Sequence, residues 1–126
     1  MGGINKHIIL GFVGKDPEIR YLPKGDPVAQ LSVATTSTWK DKDTQERKER
    51  TEWHRVIFYG KNLIQNFVEP YVKEGSQVYI EGEPRTRSYE KDGVTRYVTE
   101  IHGEVIQLLD RKPPQGQPPA DDVPLP

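Results

Sequence analysis

The 126-residue chain contains no cysteine. That removes disulfide frameworks, thiolate nucleophiles and sulfur-ligated zinc or iron–sulfur centres from consideration. Long apolar runs are missing as well. Nothing approaches the ~18 consecutive apolar residues of a membrane helix, and the stretch from Ile8 to Val13 is too short for the core of a signal peptide. A soluble, cytoplasmic protein without membrane contact is expected. Lys6 stands where an N-myristoylation signal needs Ser or Thr, so no lipid anchor is expected either. There is no phosphate-loop pattern, no GxSxG, and no nucleophile beside a suitably placed base, which argues against an enzyme. His7, His54 and His102 lack a short ligand spacing, so neither a metal nor a cofactor is expected. The acid pairs Asp41 with Asp43 and Glu81 with Glu83 read as solvated loop or strand charges rather than a Mg²⁺ site.

An excess of charge of one sign is also lacking: 18 Lys+Arg against 19 Asp+Glu give a formal net charge of −1. The position of the charges carries more information than their sum. Residues 113–126, PPQGQPPADDVPLP, hold no basic residue and two acids, Asp121 and Asp122. Proline removes backbone donors there, and too few apolar groups remain to offset ordering entropy. This segment is expected to be a disordered, Pro-rich acidic tail, leaving residues 1–112 as a single domain. At its tip Val123, Pro124 and Leu125 follow Asp121 and Asp122, a combination suited to docking on another protein.

What fills the domain is mostly short β pattern separated by turn chemistry. A first strand spans 4–13, the group Gly14-Lys15-Asp16-Pro17 breaks it, and a short strand follows over 18–22. Pro23-Lys24-Gly25-Asp26-Pro27 is a turn. In 28–36 Ala29, Leu31 and Val33 alternate with Gln30 and Ser32, one face buried and the other wet. The charged stretch 40–50 has no periodicity and reads as a mobile loop or an extended hairpin tip. A third main strand covers 51–59. In 62–72 the period changes to four, with Leu63, Phe67 and Tyr71 in one series and Ile64, Val68 and Val72 in another, which predicts a helix kinked at Pro70 or ending near Glu69. A fourth strand over 77–89, bulged at Pro84, turns at Asp92-Gly93 into a fifth over 94–104. Five main strands with one helix between the third and fourth is the order of the OB-fold, an all-β, partly open Greek-key barrel.

Parity along these strands selects the candidate binding residues. Trp53, Arg55, Ile57 and Tyr59 share one side of the third strand, and Arg85, Arg87 and Tyr89 share one side of the fourth. Trp39 stands beside Lys40 and Lys42. Rings interleaved with cations in polar context suit unpaired nucleic acid, because every base has a stackable face and guanidinium meets phosphate. Duplex DNA hides those faces, so single strands are the expected ligand.

Several motifs then carry a family resemblance: Asn5-Lys6, the run Gly14 to Tyr21, the run Thr51-Glu52-Trp53-His54-Arg55-Val56, and Gly75 to Gly82 followed by Arg85-Thr86-Arg87. In these the chain resembles the bacterial single-stranded DNA-binding proteins, SSB, from about Asn5 to Leu109. The resemblance implies an OB-fold homotetramer that coats single-stranded DNA during replication, recombination and repair, associated with the nucleoid. It implies stacking aromatics at Trp39, Trp53, Tyr59 and Tyr89 and an interface role for His54. Lys6, Arg20, Lys61 and Lys73 join Lys42, Arg55, Arg85 and Arg87 as the candidate DNA-contacting cations. Tyr59 and Tyr89 stand where many relatives carry Phe and Trp. The family recruits replication and repair proteins through an acidic tail tip, here Asp121-Asp122-Val123-Pro124-Leu125-Pro126 after an unusually short linker. A different class of function on the same fold is a primosome-type adaptor that mainly holds other proteins. The tail favours the first reading, since adaptors generally lack one.

Overall fold

Alternation along the strands decides how they close. In the computed structural model, which describes residues 2–109, six strands form in the order β1 (His7–Val13), β2 (Glu18–Tyr21), β3 (Pro27–Lys40), β4 (Arg47–Tyr59), β5 (Gln77–Lys91) and β6 (Val94–Leu108), with a single helix between β4 and β5. They pair in the order β1-β5-β6-β4-β3-β2, and a further β1–β3 pairing closes the ring. Five strands therefore make the barrel, and the short β2 is an appendage on β3, paired antiparallel from Glu18↔Gln30 to Tyr21↔Pro27. Closure needs one parallel contact, β4 to β6, made by Val56↔Ile101 and Ile57↔His102. The architecture is the OB-fold. No helix among the described residues is long and apolar enough to cross a membrane.

The core is what the alternation predicts. Ile9 and Val13 from β1, Ala29, Leu31 and Val33 from β3, Val56 and Phe58 from β4, Val78 and Ile80 from β5, and Ile101 from β6 all point inward. The helix covers the barrel with Ile64, Val68 and Val72, each fully buried. Leu63 and Phe67, of the other four-residue series, are only partly buried against the core, and Tyr71 is exposed. Pro70 does not end the helix at Glu69. An α turn (Lys61–Leu63) passes into a π turn (Ile64–Val68), where Glu69 N–H donates to Ile64 C=O, and the helix runs on through Glu69–Tyr71. Proline has no N–H to give and crowds the carbonyl one turn earlier, so the preceding turn widens instead of breaking.

One expectation needs correction and another is narrowed. The bulge is not at Pro84: the β5–β6 register shifts between Glu81 and Gly82, where Glu81 faces Val105 and Gly82 faces Gly103. Gly82 is the residue that permits the close approach, since a Cβ there would lie 2.6 Å from the His102 carbonyl oxygen. Of the two readings of the charged stretch 40–50, the extended hairpin tip holds and the mobile loop does not. β3 and β4 stay paired out to Lys40↔Arg47, leaving a tip of 41–46. Asp41 organises that tip, its Oδ1 accepting from Asp43 N–H at 2.8 Å and Thr44 N–H at 3.1 Å. Those two amides, chiefly, hold the Asp41 carboxyl below its usual titration range. Beyond the barrel both faces of the β3–β4 arm meet solvent, so no apolar alternation marks it as strand. The expected domain end at residue 112 and the tail residues Asp121 to Leu125 lie outside the described residues.

One charged group interrupts the apolar pattern. Glu100 on β6 is 4% exposed, and it ties three strands together by accepting from Arg55 on β4 and Arg87 on β5. Hydrogen bonds from Arg87, opposed by burial and reinforced by Arg55, hold its carboxyl below the ordinary value of 4.5. The folded chain thus binds this proton less readily than the unfolded one. The ion trio is fully present above pH 4.5 and is lost as pH falls below it toward the folded value. We expect the urea midpoint to fall with acidification in that window less steeply in Glu100→Gln than in the native protein. A second expected outcome concerns Gly103, whose missing side chain leaves room for the Phe58 ring. Gly103→Ala should lower stability by ~1–3 kcal/mol through overpacking, read as a lower urea midpoint with an unchanged slope.

Candidate nucleic-acid interface

The outward side of β4 carries Trp53, Arg55, Ile57 and Tyr59, opposite Ala34, Ser32, Gln30 and Val28 of β3. Short or flat partners on β3 leave the rings uncovered: Trp53 is 63% exposed and Tyr59 51%. Trp53 is set by Gly14, since any side chain at that glycine would collide with the indole. Tyr59 leans on His102, with ring centroids 5.5 Å apart and planes tilted by 38°. On the β5–β6 hairpin the pairs Arg87↔Val98 and Tyr89↔Arg96 face outward on the same side. The turn that starts this hairpin is Asp92 and Gly93, both at positive φ (55° and 76°), the geometry that matches the twist of the two strands.

Between these rows lies Glu100. Its Oε2 accepts from Arg55 Nε at 2.8 Å and from Arg87 Nη2 at 3.1 Å, and its Oε1 from Arg87 Nε at 2.9 Å. The two arginines, on different strands, are thereby brought to one place. An open cavity of ≈ 310 Å³ sits there, walled by Tyr21, Gln30, Arg55, Ile57, Tyr59, Arg87 and Glu100. A second of ≈ 290 Å³ continues past Arg55 and Arg87 to Tyr89 and Val98. Together they trace a trough across β4, β6 and β5 whose walls are rings and guanidinium groups. Its volume suits a planar base and its cations suit phosphate.

The remaining predicted residues divide. Arg20 lines the larger cavity and is barely engaged, 4.0 Å from Glu18. Arg85 shares the outward side with Arg87 and bonds Glu83 at 2.8 Å. Lys61 opens the helix two residues after Tyr59. Trp39 is not in the row of Trp53: it pairs with Lys48 in an unbroken register, which puts it on the opposite side of the β3–β4 ribbon. It lines its own cleft of ≈ 330 Å³ with Thr38, Lys40 and Arg47 at the end of the arm, and Lys42 lies in the turn just beyond. Lys73 donates to the Glu69 carbonyl at 2.9 Å and serves the helix end. Lys6 lies elsewhere too, 3.2 Å from Glu81, which also accepts from the Tyr79 hydroxyl at 2.5 Å. That triad stands on an outer face where Ile8, Leu10 and Phe12 of β1 are each more than half exposed. His54 is half-buried near the same strand, its Nε2 2.9 Å from Thr35 Oγ1 and its ring 5.4 Å from His7 in an edge-on arrangement. Burial, then His7, pushes its titration below the ordinary histidine value, with Glu52 opposing.

Two residues of the trough escaped the sequence reading. Tyr21, on the β2 appendage, is 60% exposed at the cavity wall. Glu100 reads in isolation as one more surface acid. The Asp92-Gly93 turn holds the signal that finds it, because counting outward from a two-residue turn places Glu100 opposite Arg85, beside Arg87.

Known proteins are similar to this chain in sequence and in fold. The model of the Single-strand binding protein family matches residues 4–109. A curated relative, single-stranded DNA-binding protein 1 of Xylella fastidiosa, is 47% identical over 113 residues, 89% of this chain and 82% of the relative. Among solved structures, the SSB of Plasmodium falciparum in complex with single-stranded DNA superposes with a TM-score of 0.76 at 34% identity, covering 87% of this chain and 98% of that one. A deletion variant of the single-stranded DNA-binding protein from Thermus aquaticus gives 0.71 at 25% identity, covering 86% of this chain and 51% of that one. The trough of rings and arginines on an OB barrel and the match across nearly the whole described chain agree, and the chain belongs to the single-strand binding protein family.

Proposed function

We propose that this protein binds single-stranded DNA without sequence preference, protecting it during replication, recombination and repair. The observation that carries the reading is the trough: Trp53, Tyr59 and Tyr89 are exposed on the same side of the sheet as Arg55 and Arg87, and the Plasmodium relative was solved with single-stranded DNA. Stacking is indifferent to which base is presented, so the chemistry selects unpaired over paired strands and not one sequence over another. Trp39, Lys42, Arg20, Lys61 and Arg85 extend the candidate path around the trough. Lys6 and Lys73 remain candidates as well, each with one surface hydrogen bond, to Glu81 and to the Glu69 carbonyl.

The same reading includes a homotetramer. Its support is the outer face of β1, where Ile8, Leu10 and Phe12 expose apolar surface in a row. The β1 edge is also open, since pairing with β3 covers only Phe12 and Val13. Exposed apolar rows and unpaired edges are the surfaces that second copies cover, and His54 lies beside that edge through its contact with His7. The functional unit would be residues 1–112, with the acidic tip Asp121 to Leu125 capturing replication and repair proteins.

Titration with oligo(dT) should quench the fluorescence of Trp39 and Trp53, with a salt slope of ~0.7 per phosphate neutralised. Trp53→Ala should cost ~1–3 kcal/mol of binding while leaving thermal unfolding unchanged. Absence of quenching in the native protein at low salt refutes the function, and unchanged affinity in the variant removes Trp53 from the path. For assembly, light scattering should give four copies for the native chain and fewer for Leu10→Asp, which places a charge in the apolar row. A native monomer refutes the tetramer.

A further inference from the structure

A buried carboxylate is an odd tenant for a surface that must attract phosphate. Coulomb's law alone makes Glu100 a liability there, because a negative charge in a partly dry trough repels the backbone it faces. The geometry describes a different role. Arg55 donates its Nε–H to Glu100, and Arg87 its Nε–H and an Nη2–H; among the described residues no other protein acceptor takes their remaining N–H groups. The Arg55 and Arg87 side chains are 40% and 54% exposed while the Glu100 side chain between them is 5% exposed. Each arginine therefore shows one edge to the protein and another to solvent.

Resting on the single-strand-binding reading, we propose that Glu100 is the positioning residue of the trough, holding Arg55 and Arg87 from two different strands with their outer N–H edges presented to the phosphates. A free arginine is a long side chain with several rotatable bonds, and fixing it at the moment of binding is costly. Held by Glu100, the two are ordered during folding. The planar fork makes this possible, since a guanidinium donates to two acceptors on different edges at once, which an ammonium on a flexible stem does not do in fixed geometry. The trio keeps a net charge of +1, so attraction for phosphate survives the carboxylate.

Positioning and charge predict opposite signs. Glu100→Gln keeps the size of the side chain and deletes one negative charge. If Glu100 only neutralised the arginines, the variant would bind oligo(dT) more tightly and with a steeper salt dependence. If it positions them, the variant binds more weakly, by roughly five- to a hundredfold when two side chains must be ordered on binding. Its salt slope would also fall by ~0.7 for each phosphate that is no longer neutralised. Arg87→Lys, which keeps the charge and loses the fork, should weaken binding by a similar factor in the native background and add little in the Glu100→Gln background, because the two changes disable one device.

Affinity equal to or above native in Glu100→Gln, or penalties of the two changes that simply multiply, overturns the proposal. Should Glu100→Gln fail to fold by circular dichroism, Arg87→Lys alone decides: native affinity there overturns it, and a weaker complex with the melting temperature preserved supports it. The native protein is titrated alongside. Failure of the native chain to bind oligo(dT) sinks the functional reading itself, whereas native binding with an unweakened variant sinks only the role of Glu100.

Discussion

A pleated strand has two sides, and closing five of them into a barrel commits one side of each to the core. Everything outside the barrel then follows from which residues are left over. On β5 a single row of odd-numbered residues makes this plain. Tyr79 and Glu81 face outward beside the apolar residues of β1, and, past the register shift at Gly82, Arg85, Arg87 and Tyr89 face outward beside β6. One side of one strand therefore serves two surfaces of opposite chemistry, separated by the bend that glycine permits. The alternate residues Val78 and Ile80 are fully buried. A shift of one residue in this register would send rings and guanidinium groups inward and valines outward.

The near-zero net charge is compatible with a polyanion ligand for the same reason. What a phosphate meets is the field of the trough, not the sum over the chain. Local pairing reduces that field unevenly. Lys6 and Arg50, outside the trough, are each neutralised by an acid of their own, Glu81 and Glu52. Arg55 and Arg87 share a single carboxylate between them. The arginines proposed to meet a backbone are thus left with positive charge in surplus, and they are flanked by rings that exclude part of the water and strengthen such an interaction.

How much of this was legible in the sequence depends on whether a local signal existed. The core strands were legible because Ala29, Leu31 and Val33 alternate with polar residues, and the Trp53-to-Tyr59 row because parity is a property of the strand itself. The helix was legible from Ile64, Val68 and Val72, though its π turn was not, because proline says that something must give without saying what. The β3–β4 arm from Ser37 to Arg50 was legible only as one of two alternatives, a hairpin tip or a mobile loop, since neither face is buried and the pairing is held by backbone bonds. Glu100 was illegible residue by residue. It becomes readable only when the turn at Asp92-Gly93 is used to set the register, a non-local step that takes two strands at once.

Trp39 shows how far such a register reaches into function. Along β3 and β4 the pairing runs without a shift from Val28↔Tyr59 to Lys40↔Arg47, so the pleat puts Trp39 and Trp53 on opposite sides of the ribbon. A polymer that stacks on both rings must pass around the arm within the span of a few residues, a distance of roughly 20 Å at ~3.3 Å per residue. Duplex DNA resists bending over lengths of about 150 base pairs, and its bases are already stacked on one another. An unpaired strand has neither restraint: it turns within a few nucleotides and brings free faces to both indoles. On the proposed reading, with both indoles stacking bases, the arm acts as a second discriminator beside stacking. The rings on either side of it favour a ligand that curls around the protein, and the stiffness of the double helix, rather than any clash or charge, keeps it from reaching both.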